Sequence, residues 1–349
     1  NLLPWSFARS WAQARRLLAM NESSRPVLAI RGLSTEVQTR RGVFRAVDDV
    51  SFTVPAAGKV ALVGESGSGK TMTALSVLRL TDPGVRIVAG VVEFKGQDLL
   101  LLRENQMRHL RGSELAMVFQ EPMTSLNPML SVGYQIVETL RAHQKISRKQ
   151  AKQRAVELLH RVGIPSPSTR VDAYPHQLSG GMRQRVMIAI AMGCRPSLMI
   201  ADEPTTALDV TIQGQILDLF EQIREQDGTA TWLITHDLGV VAGFAEHVLV
   251  MYAGQIVESS PVKELFRSPL HPYTQALIQC VSAVGVDGTT RHTRLPLVEG
   301  RIADIESRPS GCRFRPRCPR AHEACLEDPP WVEKAGRGAR CVLLSEKEP

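Results

Sequence analysis

The sequence predicts an α/β fold: a mainly parallel sheet between helices, with an inserted helical subdomain and a Cys-containing, loop-rich C-terminal extension. Three observations carry that expectation. Five short apolar runs alternate with helical stretches between Val27 and about Ser260. The stretch between two of those runs is too long for an ordinary crossover. After Pro261 the composition turns Pro-rich, with Pro269, Pro272, Pro296, Pro309, Pro316 and Pro319 following.

Residues 1–26 read as an N-terminal extension. Arg9, Arg15, Arg16 and Arg25 fall among Trp5, Phe7, Trp11, Leu17 and Leu18. That pattern suits a basic amphipathic helix on a membrane surface, or sequence upstream of a natural start at Met20, which is the plainer expectation. Residues 27–260 read as one α/β domain. Lys59–Val63, Leu115–Phe119, Leu198–Asp202, Ala230–Thr235 and His247–Tyr252 have the length and apolarity of buried parallel strands. Lys149–Val162 and Thr211–Glu225 repeat apolar residues at helical spacing. Residues 121–185, between the second and third runs, read as the helical insert. Residues 261–349 form the extension. No internal repeat is visible, so the chain carries one such unit.

Composition narrows the function. Hydrophobic residues at 43% and charged residues at 22% exclude wholesale disorder. Aromatics at 5% argue against a stacking platform for single-stranded nucleic acid. The net charge of +7 is spread without a dense Lys/Arg run, so it suits phosphates and a membrane surface better than a nucleic-acid partner. No stretch approaches the roughly 20 apolar residues of a membrane span. The most apolar one, Val186–Cys194, is bounded by Arg185 and Arg195. A membrane role therefore has to come through partner chains. No secretory signal is recognisable, and a cytoplasmic location is expected.

Three motifs carry phosphate chemistry. Gly64-Glu65-Ser66-Gly67-Ser68-Gly69-Lys70-Thr71 matches G-x-x-x-x-G-K-[ST] between an apolar strand and a helix. Its glycines let backbone N–H groups turn inward as an anion nest at a helix N-terminus. Lys70 is placed to reach the β- and γ-phosphates of ATP, and the Thr71 hydroxyl to bind Mg²⁺. The run Leu198–Asp202 ends in the carboxylates Asp202 and Glu203, at the sheet edge where ligands bind in such folds. Asp202 suits Mg²⁺, and Glu203 suits polarising an attacking water. The third motif, Ser179-Gly180-Gly181-Met182, opens a helix and is a second anion site. One nucleotide does not need two such sites from one chain, but two chains arranged head to tail use both.

In this order and spacing the motifs resemble those of ATP-binding subunits of ABC transporters, whose core is a P-loop NTPase fold of the RecA-like type. Leu178–Met182 resembles the family's signature loop, which contacts the partner's ATP. Ala207-Leu208-Asp209 resembles the D-loop, and His236 the switch histidine that contacts the γ-phosphate. Gln120 resembles the Q-loop glutamine, which contacts Mg²⁺ and senses the membrane subunits. The family stacks adenine on an aromatic residue near position 37; Val37 is not aromatic, and Phe44 is the nearest candidate.

Longer strings resemble the dipeptide, oligopeptide and nickel importers: Phe119–Pro128, Ala201–Gln213, Met251–Gly254, His271–Thr274 and Arg317–Pro319. The resemblance implies import of di- or oligopeptides, with nickel, glutathione or another small solute as alternatives and a non-transport ABC ATPase as a weaker one. It also implies a second, homologous ATPase subunit, two transmembrane permeases, an external substrate-binding protein, and a place on the cytoplasmic face of the inner membrane.

Cys312, Cys318, Cys325 and Cys341 are four of the six cysteines. In a reducing compartment such clustering points to metal before disulfide. The spacing lacks the paired C-x₂₋₄-C of zinc fingers. Four thiolates suffice for a 4Fe–4S cluster, which the resembling family also contains in some members' tails; zinc is the alternative.

Overall fold

The computed structural model describes residues 26–206, 208–283 and 305–345. The N-terminal extension, Pro26 apart, lies outside them, as does Ala207 of the D-loop string.

All five predicted strands are present in one eight-stranded sheet. They are β3 (Lys59–Val63), β6 (Leu115–Val118), β7 (Leu198–Asp202), β8 (Ala230–Thr235) and β9 (His247–Tyr252). Their order is β9-β3-β8-β7-β6, and every neighbouring pair is parallel. All five therefore point their carboxyl ends to one edge, where such sheets bind ligands. β7 and β8 are buried at every position, which explains their unbroken apolar runs.

A second sheet was not foreseen. β1 (Pro26–Thr39), β2 (Gly42–Pro55), β4 (Val85–Phe94) and β5 (Gln97–Asp98) form an antiparallel sheet in the order β2-β1-β4-β5. Its apolar face packs on the helix α1 (Lys70–Leu78) and on the main sheet, where Phe52 meets Trp232 edge to face at 5.0 Å. A short helix, α2 (Glu104–Leu110), closes that core through Met107.

The predicted insert between β6 and β7 consists of α3 (Pro122–Ser125), α4 (Val132–His143), α5 (Arg148–Arg161), α6 (Pro167–Arg170) and α7 (Gly180–Met192). Ser131 caps α4, and Ser147 with Gln150 forms a capping box on α5. Ile136, Leu140, Leu158 and Leu159 pack with Val186 and Ile188 of α7 in a core that continues to Val118, Met199 and Leu233 of the main sheet. α8 (Val210–Asp227) and α9 (Leu238–Phe244) follow β7 and β8.

The C-terminal extension differs most from expectation. It is not a loose appendage with little core of its own. β10 (Gln255–Pro261) turns back on β9, and the hairpin β11 (Trp331–Lys334) and β12 (Arg337–Arg340) adds to β10, completing the order β11-β12-β10-β9-β3-β8-β7-β6. Gly338 is required there, because a Cβ would lie 2.4 Å from the Trp331 ring. Between the strands run α10 (Val262–Arg267) and α11 (Pro272–Ala283). Phe314 is buried against Tyr252 of β9 and Tyr273 of α11, with ring centroids 5.3 and 5.4 Å away. Such aromatic contacts contribute about 0.5–1.5 kcal/mol each beyond area burial. Sequence pattern missed this because isolated aromatics among prolines carry no period.

Candidate active site

Residues 64–69 form the turn between β3 and α1. Gly69 caps α1 at φ +108°, a conformation that L side chains rarely adopt. Gly64 is needed for approach: a Cβ there would lie 2.2 Å from the Met251 carbonyl oxygen. The end of β9 therefore packs directly against the phosphate loop, and in the turn that follows the Gly254 N–H donates to the Ser68 carbonyl at 2.7 Å. Lys70 Nζ folds over the loop and donates to the carbonyls of Gly64 and Glu65 at 2.7 and 3.0 Å. Burial lowers its pKa, opposed by Glu203, Asp202 and Glu65.

Asp202, at the end of β7, is 1% exposed. Burial raises its carboxyl from 3.8 to about 6, with Glu203 adding to the rise and the Thr71 hydrogen bond and Lys70 opposing it. Its Oδ1 is buried without a hydrogen-bond partner. A buried carboxylate oxygen with no donor, beside a hydroxyl and a lysine, fits a bound cation.

Glu203 sits one residue beyond, at φ +47°. A non-glycine residue in that region is strained, and such strain gathers at functional sites. The backbone is held by the Glu203 N–H donating to the Ile234 carbonyl at 2.8 Å. Three side chains converge on the carboxylate. Gln120 Nε2 and the Thr206 hydroxyl donate to Oε2 at 3.3 and 2.8 Å, and His236 Nδ1 lies 3.2 Å from Oε1. Gln120 follows β6 and His236 follows β8, the two strands that flank β7, so neighbouring parallel strands deliver the group to one point. Thr206 was not singled out from sequence, although Pro204-Thr205-Thr206 follows the acidic pair directly.

The remaining candidates are placed apart. Ser179 caps α7, its hydroxyl accepting from the Met182 N–H at 3.3 Å. Ser179 and Gly180 are exposed, while Gly181 and Met182 are less so. Among the described residues no hydrogen bond or ion pair joins them to their own phosphate loop. Asp209 is exposed and caps α8 by accepting from the Ile212 N–H at 2.9 Å. Phe44 on β2 lies directly opposite Val37 on β1. The register thus brings the aromatic candidate beside the position where one is expected.

The four cysteines come together. Cys312, Cys318, Cys325 and Cys341 line one small cavity with His271 and Phe314. Burial, and then the neighbouring cysteines, push the Cys341 thiol up to about 11. Yet no group of three or more His, Cys, Asp or Glu among the described residues is placed to hold a metal ion. The expected metal centre is thus not met by ligand geometry; what is present is a four-thiol cavity. Tyr273 and Arg317 are chain neighbours of two lining residues, Pro272 and Cys318.

No helix of the described residues is long and apolar enough to cross a membrane. Residues 47–206 match the family described as ABC transporter, and residues 257–325 match the oligopeptide/dipeptide transporter C-terminal region. A Brucella abortus protein named for peptide import and ATP binding is 48% identical over 90% of this chain and 94% of its own length. A Brucella melitensis protein of the same naming is 49% identical over 93% and 99%. Among solved structures, the dimeric MJ0796 bacterial ABC transporter cassette superposes with a TM-score of 0.61 and 25% identity, covering 67% of this chain and 98% of that one. The Clostridium perfringens cbiO1 structure gives 0.59 and 24%, covering 70% and 91%; it speaks to fold alone. The chain belongs to the ABC transporter family as an ATP-binding cassette, in the group that carries the oligopeptide/dipeptide transporter C-terminal region.

Proposed function

We propose that the chain hydrolyses ATP to drive import of di- or oligopeptides. The observation that carries the hydrolytic part is the convergence of Gln120, Thr206 and His236 on the Glu203 carboxylate beside the phosphate loop. Names of relatives and the matched C-terminal region support the peptide.

N–H groups of the loop between Gly64 and Thr71, other than that of Glu65, cradle the phosphates. Lys70 exchanges two loop carbonyls for β- and γ-phosphate oxygens, which are stronger acceptors for a cation. Phe44 stacks on adenine. Thr71, Asp202 and Gln120 hold Mg²⁺, which neutralises charge on the β- and γ-phosphates when bound. Glu203 orients a water for in-line attack on the γ-phosphorus and takes its proton as the bond to the bridging oxygen breaks. His236 shares that carboxylate and contacts the γ-phosphate. Glu203→Gln is expected to bind ATP normally and to slow hydrolysis by about 10²–10⁴; normal turnover in that variant sinks the assignment.

Ser179, Gly180, Gly181 and Met182 serve the ATP of a second, homologous subunit, with Asp209 at the seam between the two. The exposure of Ser179 and Gly180 away from their own phosphate loop supports this, as does the dimeric MJ0796 cassette. The ATPase domain spans 27–260, its helical subdomain about 121–185, and the transporter-specific extension 261–349. Partners are two permeases and an external binding protein, at the cytoplasmic face of the membrane. Uptake of a labelled dipeptide into vesicles holding the assembled complex tests the substrate; uptake of nickel or glutathione instead would replace it.

Cys312, Cys318, Cys325 and Cys341 hold a 4Fe–4S cluster. The four thiols lining one cavity support it, with zinc as the alternative. When bound, the cluster ties the extension together.

A further inference from the structure

Glu65 has an unusual place among the phosphate-loop residues, because its contacts lead away from the nucleotide side and into the C-terminal extension. Its backbone N–H donates to the buried Tyr273 hydroxyl at 3.0 Å. Both of its carboxylate oxygens accept from Arg317 Nη1 at 3.1 Å. The same nitrogen donates to the Tyr252 hydroxyl at 3.3 Å, and the guanidinium lies 5.8 Å from the Tyr252 ring centre. The Arg317 side chain is 7% exposed and that of Glu65 28%, so solvent screens the pair weakly.

A carboxylate in a loop built for anions is a liability. Glu65 acts on Lys70 electrostatically, and an unpaired carboxylate there would compete for the lysine and repel the phosphates. Arg317 balances that charge and holds it on the far side of the loop. Tyr273 accepts the Glu65 N–H, which ties the start of the loop to the extension.

We propose that Arg317 and Tyr273 are positioning residues for the phosphate loop, so that the C-terminal extension sets the affinity of the ATP site through Glu65. The inference rests on the ATP-binding reading given above. It also gives the four-thiol cavity a line to the nucleotide, since Arg317 adjoins Cys318. At Cys312 the neighbouring Arg313 donates to the Ala253 carbonyl at 2.5 Å, in the turn whose Gly254 N–H donates to Ser68 of the loop.

The test is calorimetric titration of the full chain with ATP and Mg²⁺. Arg317→Ala is expected to bind about tenfold more weakly, as removal of one partner of a weakly screened pair does. Glu65→Gln removes the carboxylate that needs restraint, so the double variant Glu65→Gln with Arg317→Ala is expected within about threefold of the wild type. Tyr273→Phe keeps the ring packing and is expected to weaken binding about threefold. Arg317→Gln replaces Arg317→Ala if truncation prevents folding. A double variant as weak as Arg317→Ala overturns the inference, because a merely structural loss is not rescued at Glu65. Wild-type affinity in Arg317→Ala overturns it as well. In both cases abolished binding in Lys70→Ala leaves the ATP site standing, whereas a wild-type chain that does not bind ATP removes both readings.

Discussion

Asp202 is a site carboxylate whose chemistry is strongly altered by its surroundings. Its carboxyl rises from 3.8 to about 6 because burial disfavours the charged form. A folded-state pKa above the unfolded one means that the native state holds its proton more tightly. The ionised group therefore costs stability above the folded pKa, and that cost fades as pH falls below the unfolded value. Asp202→Asn mimics the protonated form. In the absence of nucleotide and Mg²⁺ it is expected to be more stable than the wild type by about 3 kcal/mol at pH 8, since each tenfold change in proton affinity is worth ~1.4 kcal/mol. The difference should vanish below about pH 4. Urea denaturation of both proteins across pH measures it, and a pH-independent difference counts against the buried carboxylate as its source. Asp202, Glu203 and Lys70 were legible in the sequence because the motif and the strand end are contiguous. Thr206 and the convergence on Glu203 were not, since they depend on which strands lie side by side.

At the level of elements, the segment after β6 leaves the sheet at Gln120 and enters the helical insert through α3. We expect this segment, residues 120–128, to contact a permease, since Gln120 resembles the residue that senses the membrane subunits, but the two apolar side chains at its centre behave differently. Leu126 is 2% exposed and belongs to the insert's core, whereas Met123 is 62% exposed and Met129 is 80% exposed. Leu126 is thus a packing residue, and a charge there would damage the fold. Met123→Asp is the informative change. Nucleotide affinity should stay within about twofold, because an exposed substitution away from the phosphates has little effect on the site. Stimulation of ATP turnover by the permeases should be lost. Full stimulation in the assembled complex would place the contact elsewhere. The helices of the insert were readable from period and capping residues, notably Ser131 and Ser147. The antiparallel sheet was not, because β1 and β2 are long, bulged strands whose alternation slips at the bulges near Leu33 and Thr35.

At the scale of the whole molecule, the extension and the ATPase core are one packed body. Arg340 pairs with Asp49 at 3.3 Å, Arg313 pairs with Asp48, and buried Glu258 accepts the N–H groups of Leu270 and His271 at 2.8 Å. The Pro-rich composition hid this, since contacts between residues so far apart in the chain leave no local pattern. Replacing Cys325 with Ser is expected to loosen the extension and, through it, to weaken ATP binding. Iron with acid-labile sulfide in near-equal amounts in anaerobically purified wild type supports the cluster; one zinc per chain without iron decides for zinc. The edge of the main sheet adds a consequence for synthesis. β12 covers the hydrogen-bonding edge of β10, which a chain stopped near residue 260 would leave open for pairing with other chains. A product truncated there is thus exposed to aggregation before it can occupy a permease with an idle ATPase.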